Sequence, residues 1–139
     1  MSQQRITNGP GNLVPFTEKR KFLANEAFER GDIVTLTGTT GYTIAMGSAI
    51  LMPIGVAAEA IDSGAWGDVI ISGYCDYLTN NGDNVGAYAM LFSAADGECD
   101  SIAYGANAGI EQGGIFGMSL EAETGTTCTN AYIFCSPTF

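Results

Sequence analysis

Fifteen carboxylates and no histidine set the chemistry within reach of this 139-residue chain. Without an imidazole there is no side chain that ordinarily titrates near neutrality, and neither G-x-S-x-G, a P-loop nor H-E-x-x-H occurs. A carboxylate pair can hydrolyse glycosides unaided by histidine, and Glu59 with Glu121, or Asp96 with Glu98, are formally available. Acids at turns and strand ends more often stay solvated or cap backbone amides, and that reading is preferred. Asp96, Glu98 and Asp100 alternate with Gly97, Cys99 and Ser101, which would place them on one strand face as oxygen ligands for calcium. The segment lacks the central glycine and bidentate glutamate of a calcium loop, so no metal is expected. Cys75, Cys99, Cys128 and Cys135 contain no C-x-x-C, and with no histidine to complete a site zinc is not expected either. Cys128 and Cys135 lie an odd number apart and would face opposite ways on one strand, so no required disulfide is expected. The chain reads as a non-enzyme without a cofactor.

Two groups remain that could bind rather than react. Trp66, in Ser-Gly-Ala-Trp-Gly-Asp, is either a stacking platform for a sugar, an anchor in an interface, or a ring folded over a sheet edge. Tyr74, Tyr77 and Tyr88 read as core margins or subunit contacts. The second group is the set of bases: Arg5, Lys19, Arg20, Lys21 and Arg30 are all the lysines and arginines present. The first thirty residues sum to +2 and the other 109 to −12. So few bases beside so many acids make nucleic acid a poor partner. A protein surface with acidic patches fits better, because Phe16, Phe22 and Phe28 interleave the charges with apolar anchors. The plainer alternative for Lys19-Arg20-Lys21 is a solvated tail or terminal strand.

The elements that must hold these groups are short β pulses. Residues 1–12 contain the breaker cluster Asn8-Gly9-Pro10-Gly11-Asn12 and no apolar secretory segment. Phe22, Leu23, Ala27 and Phe28 suit either a turn of amphipathic helix or an extended hydrophobic clamp. Strands are expected at 33–37, 42–45, 50–58, 68–77, 87–92, 99–104, 115–122 and 128–134, an all-β body of about eight. Turns at Thr39-Thr40-Gly41, Asn80-Asn81-Gly82-Asp83 and Asp96-Gly97 supply residues that tolerate positive φ. The uncharged stretch between Asp32 and Glu59 comes in short pulses broken by threonines, glycines and Pro53, which suits buried strands and not a membrane span. Two domains are read: an extended arm, 1–30, and a β-rich body, 31–139. Removing the arm is expected to leave the body folded.

One internal echo stands out at an offset of 62 residues. Gly55, Val56, Ala58, Glu59, Ala60, Val69 and Ile71 correspond to Gly117, Met118, Leu120, Glu121, Ala122, Ala131 and Ile133. Two related β-hairpin units are expected, with Gly55 and Gly117 marking a bend or a close backbone approach.

Gly31-Asp32-Ile33-Val34, then Pro53-Ile54-Gly55-Val56-Ala57, Gly64 to Val69 and Ile70-Ile71-Ser72-Gly73 resemble the text of small capsid decoration, or cement, proteins of tailed bacteriophages. Asn81-Gly82-Asp83-Asn84-Val85 and the stretch from Phe116 to Ala122 follow in the same order, so the resemblance spans about 31–134. It implies a small β-barrel or β-tulip body on the outer capsid surface, often a homotrimer, made in the host cytoplasm. It also implies an N-terminal segment laid across the major capsid protein, with no membrane involved. Arg5, Phe16, Lys19, Arg20, Lys21, Phe22, Phe28 and Arg30 are then the expected capsid-binding residues. The rival reading is a carbohydrate-binding or adhesion module of a phage tail or fibre, built on Trp66.

Overall fold

Alternation of β-branched and polar residues drives this chain into strands, because a pleated ribbon sends successive side chains to opposite faces. A computed structural model describes residues 17–48, 52–102 and 115–134. Within them run β1 (Thr17–Ala24), β2 (Ile33–Leu36), β3 (Thr43–Met46), β4 (Pro53–Ala57), β5 (Trp66–Cys75) and β6 (Leu78–Val85). Then follow β7 (Met90–Ser93), a 3₁₀ turn (Ala95–Gly97), β8 (Cys99–Ile102), β9 (Ile115–Ser119), β10 (Glu123–Cys128) and β11 (Ala131–Ile133). The all-β barrel expected from the sequence is what forms.

Strands β1-β3-β2-β4-β5 lie in that order, and β1 also pairs with β5, closing a five-stranded barrel. The closing ladder is antiparallel from Thr17↔Gly73 to Leu23↔Trp66, while β1 meets β3 in parallel at Leu23↔Thr43 and Ala24↔Ile44. Beyond β5 the sheet continues β11-β9-β7-β8-β6-β10. One core fills the first barrel with Ala24, Phe28, Val34, Ile44, Ala57, Ile61, Val69 and Ile71. The other holds Leu78, Leu91, Cys99, Phe116, Cys128, Ala131 and Ile133, joined by Ile33, Val56 and Ile70. Those last three alternate with Val34, Ala57 and Val69, so both faces of β2, β4 and β5 are covered there. Each fully buried Val, Leu or Ile contributes about 1.5–3 kcal/mol.

The echo at 62 residues is a structural repeat. Adding 62 to Pro53–Ala57 gives Ile115–Ser119, so β4 maps onto β9 residue for residue. The pairs Val56↔Ile70 and Ala57↔Val69 recur as Met118↔Tyr132 and Ser119↔Ala131. Ile33↔Val56, Val34↔Gly55 and Thr35↔Pro53 recur as Met90↔Met118, Leu91↔Gly117 and Phe92↔Ile115, with the register slipping at the same step. The parallel contact Ala24↔Ile44 has its counterpart in Asn80↔Cys99. Read outward from the antiparallel β5–β11 contact, the order is β5-β4-β2-β3-β1 on one side and β11-β9-β7-β8-β6 on the other. The two units are thus related by an approximate two-fold at that contact.

Gly55 and Gly117 are the close approaches that the sequence marked. A Cβ on Gly117 would fall 2.7 Å from Tyr132 O, and one on Gly55 nearer still to Ile70 O, the same carbonyl one repeat earlier. Neither glycine has positive φ; what they provide is space.

Three strands depart from expectation: β1, β6 and β10. Thr17–Ala24, read as arm, is the stave that closes the barrel, and its Lys-Arg-Lys centre hid it because charge is tolerated on a strand with one wet face. Phe28 follows with an isolated bridge to Ile61, N–H to O at 2.8 Å and back at 2.9 Å. Residues 17–30 are therefore woven into the barrel, extended and without helix, and removing them would take out a strand and a core phenylalanine. Asn80-Asn81-Gly82-Asp83 is strand and not turn: Gly82 and Gly125, both at positive φ, face each other where the β6–β10 register slips. The Asn80 amide is buried and donates to Gly125 O at 2.8 Å, so its polarity is satisfied inside the sheet. Arg5, Phe16 and Cys135 lie outside the described residues.

Candidate functional site

Arg30, the last of the bases, is positioned by a glycine. Gly31 has φ 93°, and a Cβ there would press into the Tyr77 ring at 2.6 Å. With only hydrogen at that point, the Tyr77 ring packs close to the backbone, and Thr79 N–H donates to Gly31 O at 3.0 Å. The Arg30 guanidinium sits over that ring, 4.9 Å from its centroid, and pairs with Asp76 at 2.8 Å. Cation–π and ion-pair contacts together restrain a side chain that would otherwise sweep through solvent.

The start of β1 is brought to the same place. Thr17 donates its hydroxyl to Tyr74 O at 2.7 Å, tying it to the end of β5. Between these elements opens a cleft of about 260 Å³, lined by Thr17, Lys19, Arg30, Tyr74, Asp76 and Tyr77, with Ile70, Ala57 and Ala58 supplying apolar wall. The Tyr74 hydroxyl donates to Asn130 Oδ1. Its acidity is weakened by desolvation and then by the Asp76 and Glu121 carboxylates, which keeps the phenol protonated.

The structure separates the other expected binding residues. Lys19 stands opposite Ile70 and Lys21 opposite Asp68, on one side of β1, whereas Arg20 falls on the other. Lys21 pairs with Asp68 at 3.0 Å and Arg20 with Glu18 at 3.4 Å, both solvent-exposed. Such exposed pairs contribute about 0–1 kcal/mol. Lys19 has no ion pair among the described residues. Phe22 is half-buried against the barrel core, and Phe28 is 3% exposed within it. Phe28 is thus a core residue in this fold, unavailable as a surface anchor.

A second exposed feature was only half legible. Trp66 is 54% exposed, and Tyr42, which the sequence did not single out, stacks on it at 5.3 Å and 24°. Their strands meet around Leu23, whose N–H donates to Tyr42 O and which pairs with Trp66. The Lys21–Asp68 pair lies two residues along the same ladder. No spacing rule links positions 42 and 66; only the parallel β1–β3 contact does.

Several of the acids cap backbone amides. Glu59 accepts the Asp68 N–H at 3.0 Å, and Glu123 accepts both the Thr129 and Asn130 amides, at 2.7 and 3.0 Å. Asp96 lies in the 3₁₀ turn at φ 57°, and Asp100 accepts the Ser101 amide at 2.7 Å. No group of three His, Cys, Asp or Glu side chains converges among the described residues. Asp32 is the one buried acid among them; desolvation pushes its carboxyl up, against the Glu29 N–H that it accepts at 2.9 Å. Cys75, Cys99 and Cys128 are free, buried thiols, all pushed up chiefly by desolvation, Cys75 to about 11 and Cys128 to about 12. Thiols held protonated in this way are poor nucleophiles.

No family model matches the chain, and no curated protein matches it. Among solved structures the chain is similar to the N base of the head fiber gp8.5 of bacteriophage phi29, with a TM-score of 0.61 and 14% identity. The match covers 87% of this chain and 97% of that one, and at this identity it shows a shared fold.

Proposed function

We propose that this chain is a structural protein of a phage head, a decoration or fibre-base module that binds the outer surface of the assembled shell. The observation that carries the reading is the fold match, which covers 87% of this chain and 97% of the phi29 head-fibre base. A binding role also suits a surface whose acids cap amides and whose thiols are buried. Such a protein acts by mass action: binding the assembled lattice and not its precursors stabilises the lattice. Many copies, each bridging neighbouring major capsid proteins, add their contact energies multivalently. In this reading the N-terminal residues Arg5, Phe16, Lys19, Arg20, Lys21, Phe22 and Arg30 contribute to attachment, and the acidic second unit faces out. A homotrimer is the expected assembly on the shell.

The test is to add purified full-length protein to heads of the cognate phage that lack it and to image the particles. Ordered density at fixed lattice positions is expected; bare heads, or density confined to tails, would end the proposal. The stacked Tyr42–Trp66 pair supports one other reading, a glycan-binding module, since two exposed aromatic faces suit sugar stacking. In that case Trp66→Ala abolishes glycan-array binding while head occupancy does not depend on it.

A further inference from the structure

The cleft beside β1 is lined by two of the four described cations. Of the four, Arg20 and Lys21 are each turned to an acid on the open surface. Arg30 is held by Asp76 through one terminal nitrogen, which leaves further N–H donors of the guanidinium for a second acceptor. Lys19, which has no ion pair among the described residues, lines the same cleft. The hydroxyls beside them are already committed, Thr17 to Tyr74 O and Tyr74 to Asn130. What the cleft offers is therefore cationic N–H donors next to an aliphatic and aromatic wall.

The cations of the cleft belong to the first unit alone. The wall residues Ile70, Ala57 and Ala58 correspond, 62 residues on, to Tyr132, Ser119 and Leu120. No lysine or arginine exists in the second unit to stand for Lys19 or Arg30. The wall positions recur in the second unit, but the β1–β5 closure beside the cleft and its cations do not.

We propose that this cleft is a carboxylate-binding site that takes an aspartate or glutamate side chain from an extended segment of the head protein to which the chain attaches. The volume suits one side chain with its flanking backbone and not a helix. Asp76 and the net charge of −10 disfavour a polyanion, whereas one carboxylate between neutral neighbours meets both cations with little repulsion. The partner's identity rests on the head-attachment reading; the carboxylate chemistry rests on the cleft alone.

The experiment titrates the ¹⁵N-labelled full-length chain with acetyl-Gly-Glu-Gly-amide and with its neutral isostere acetyl-Gly-Gln-Gly-amide. The glutamate peptide should shift the amides of Lys19, Arg30, Asp76 and Tyr77 and lose affinity as salt rises, and the glutamine peptide should not. Lys19→Gln, an exposed change that leaves the barrel intact, should weaken glutamate binding at least tenfold, and Arg20→Gln by less than twofold. Equal shifts with both peptides, or equal losses in the two variants, would overturn the proposal. Co-sedimentation with heads separates the two readings. If wild-type chain and Lys19→Gln bind heads equally, the cleft proposal falls and head attachment stands. If wild-type chain leaves heads bare, attachment falls and the peptide titration still decides the cleft's chemistry.

Discussion

At the scale of residues, the two units are held to the same geometry by the same glycine. Gly55 and Gly117 each face the carbonyl of the neighbouring strand, so alanine at either must push strands apart or distort the ladder. Urea unfolding should show Gly55→Ala and Gly117→Ala each destabilised by about 1–3 kcal/mol, the usual range for overpacking. Gly86, whose Cβ position meets no atom within 4 Å and whose φ is not positive, should accept alanine without measurable loss. These two glycines were legible because each sits in an apolar-Gly-apolar pattern followed by Glu-Ala. Gly31 was legible only as the start of a motif; its contact with Tyr77, 46 residues on, is made by folding alone. Arg30 and Lys19 could be named as binding residues from charge, but nothing in their spacing says that they share a cleft and that Arg20 does not.

At the scale of elements, hydrophobic alternation revealed the strands with a buried face and missed those whose partners do the burying. β1 reads Thr-Glu-Lys-Arg-Lys-Phe-Leu-Ala, and only its last three residues suggest a strand; its full length is set by the ladder that it forms with β5. β6 and β10 fail the same test, being rich in asparagine, glycine and threonine, and they pair with each other across two irregular steps. Two truncations separate a decorative β1 from a structural one. Removing residues 1–16 takes away no described strand and should leave a cooperative thermal transition. Removing residues 1–24 opens the β3 and β5 edges, uncovers Ile44, Val69 and Ile71, and should abolish that transition or lower its midpoint by more than 10 °C. Equal melting of the two truncations would show that barrel closure by β1 is dispensable.

At the scale of the whole molecule, three buried thiols tie global stability to alkaline pH. Cys75, Cys99 and Cys128 all resist ionisation when folded, while the unfolded chain ionises them near the ordinary value of 9. Above that pH the unfolded state binds fewer protons than the folded one, so the stability fully present below pH 9 falls as pH rises toward about 11 for Cys75 and about 12 for Cys128. Denaturant midpoints should drop steadily from pH 9 to 11, and replacing the three cysteines by alanine should flatten that slope. A slope that survives the replacement would assign it to other groups. Asp32 works at the opposite end: burial favours its neutral form, so acidification relieves a cost there.

The closure of the first barrel by β1, the first of its described strands, also orders events during synthesis. β1 is synthesised before β5 and its antiparallel ladder is complete only once Gly73 has been added, so it must wait as an unpaired nascent ribbon through most of the first unit's synthesis. Once closed, that unit still displays Ile33, Val56 and Ile70, whose cover comes from residues translated later. Between those two moments the nascent chain carries a sticky apolar stripe. A pause in translation after β5 would therefore lengthen the one interval in which copies emerging on neighbouring ribosomes can aggregate.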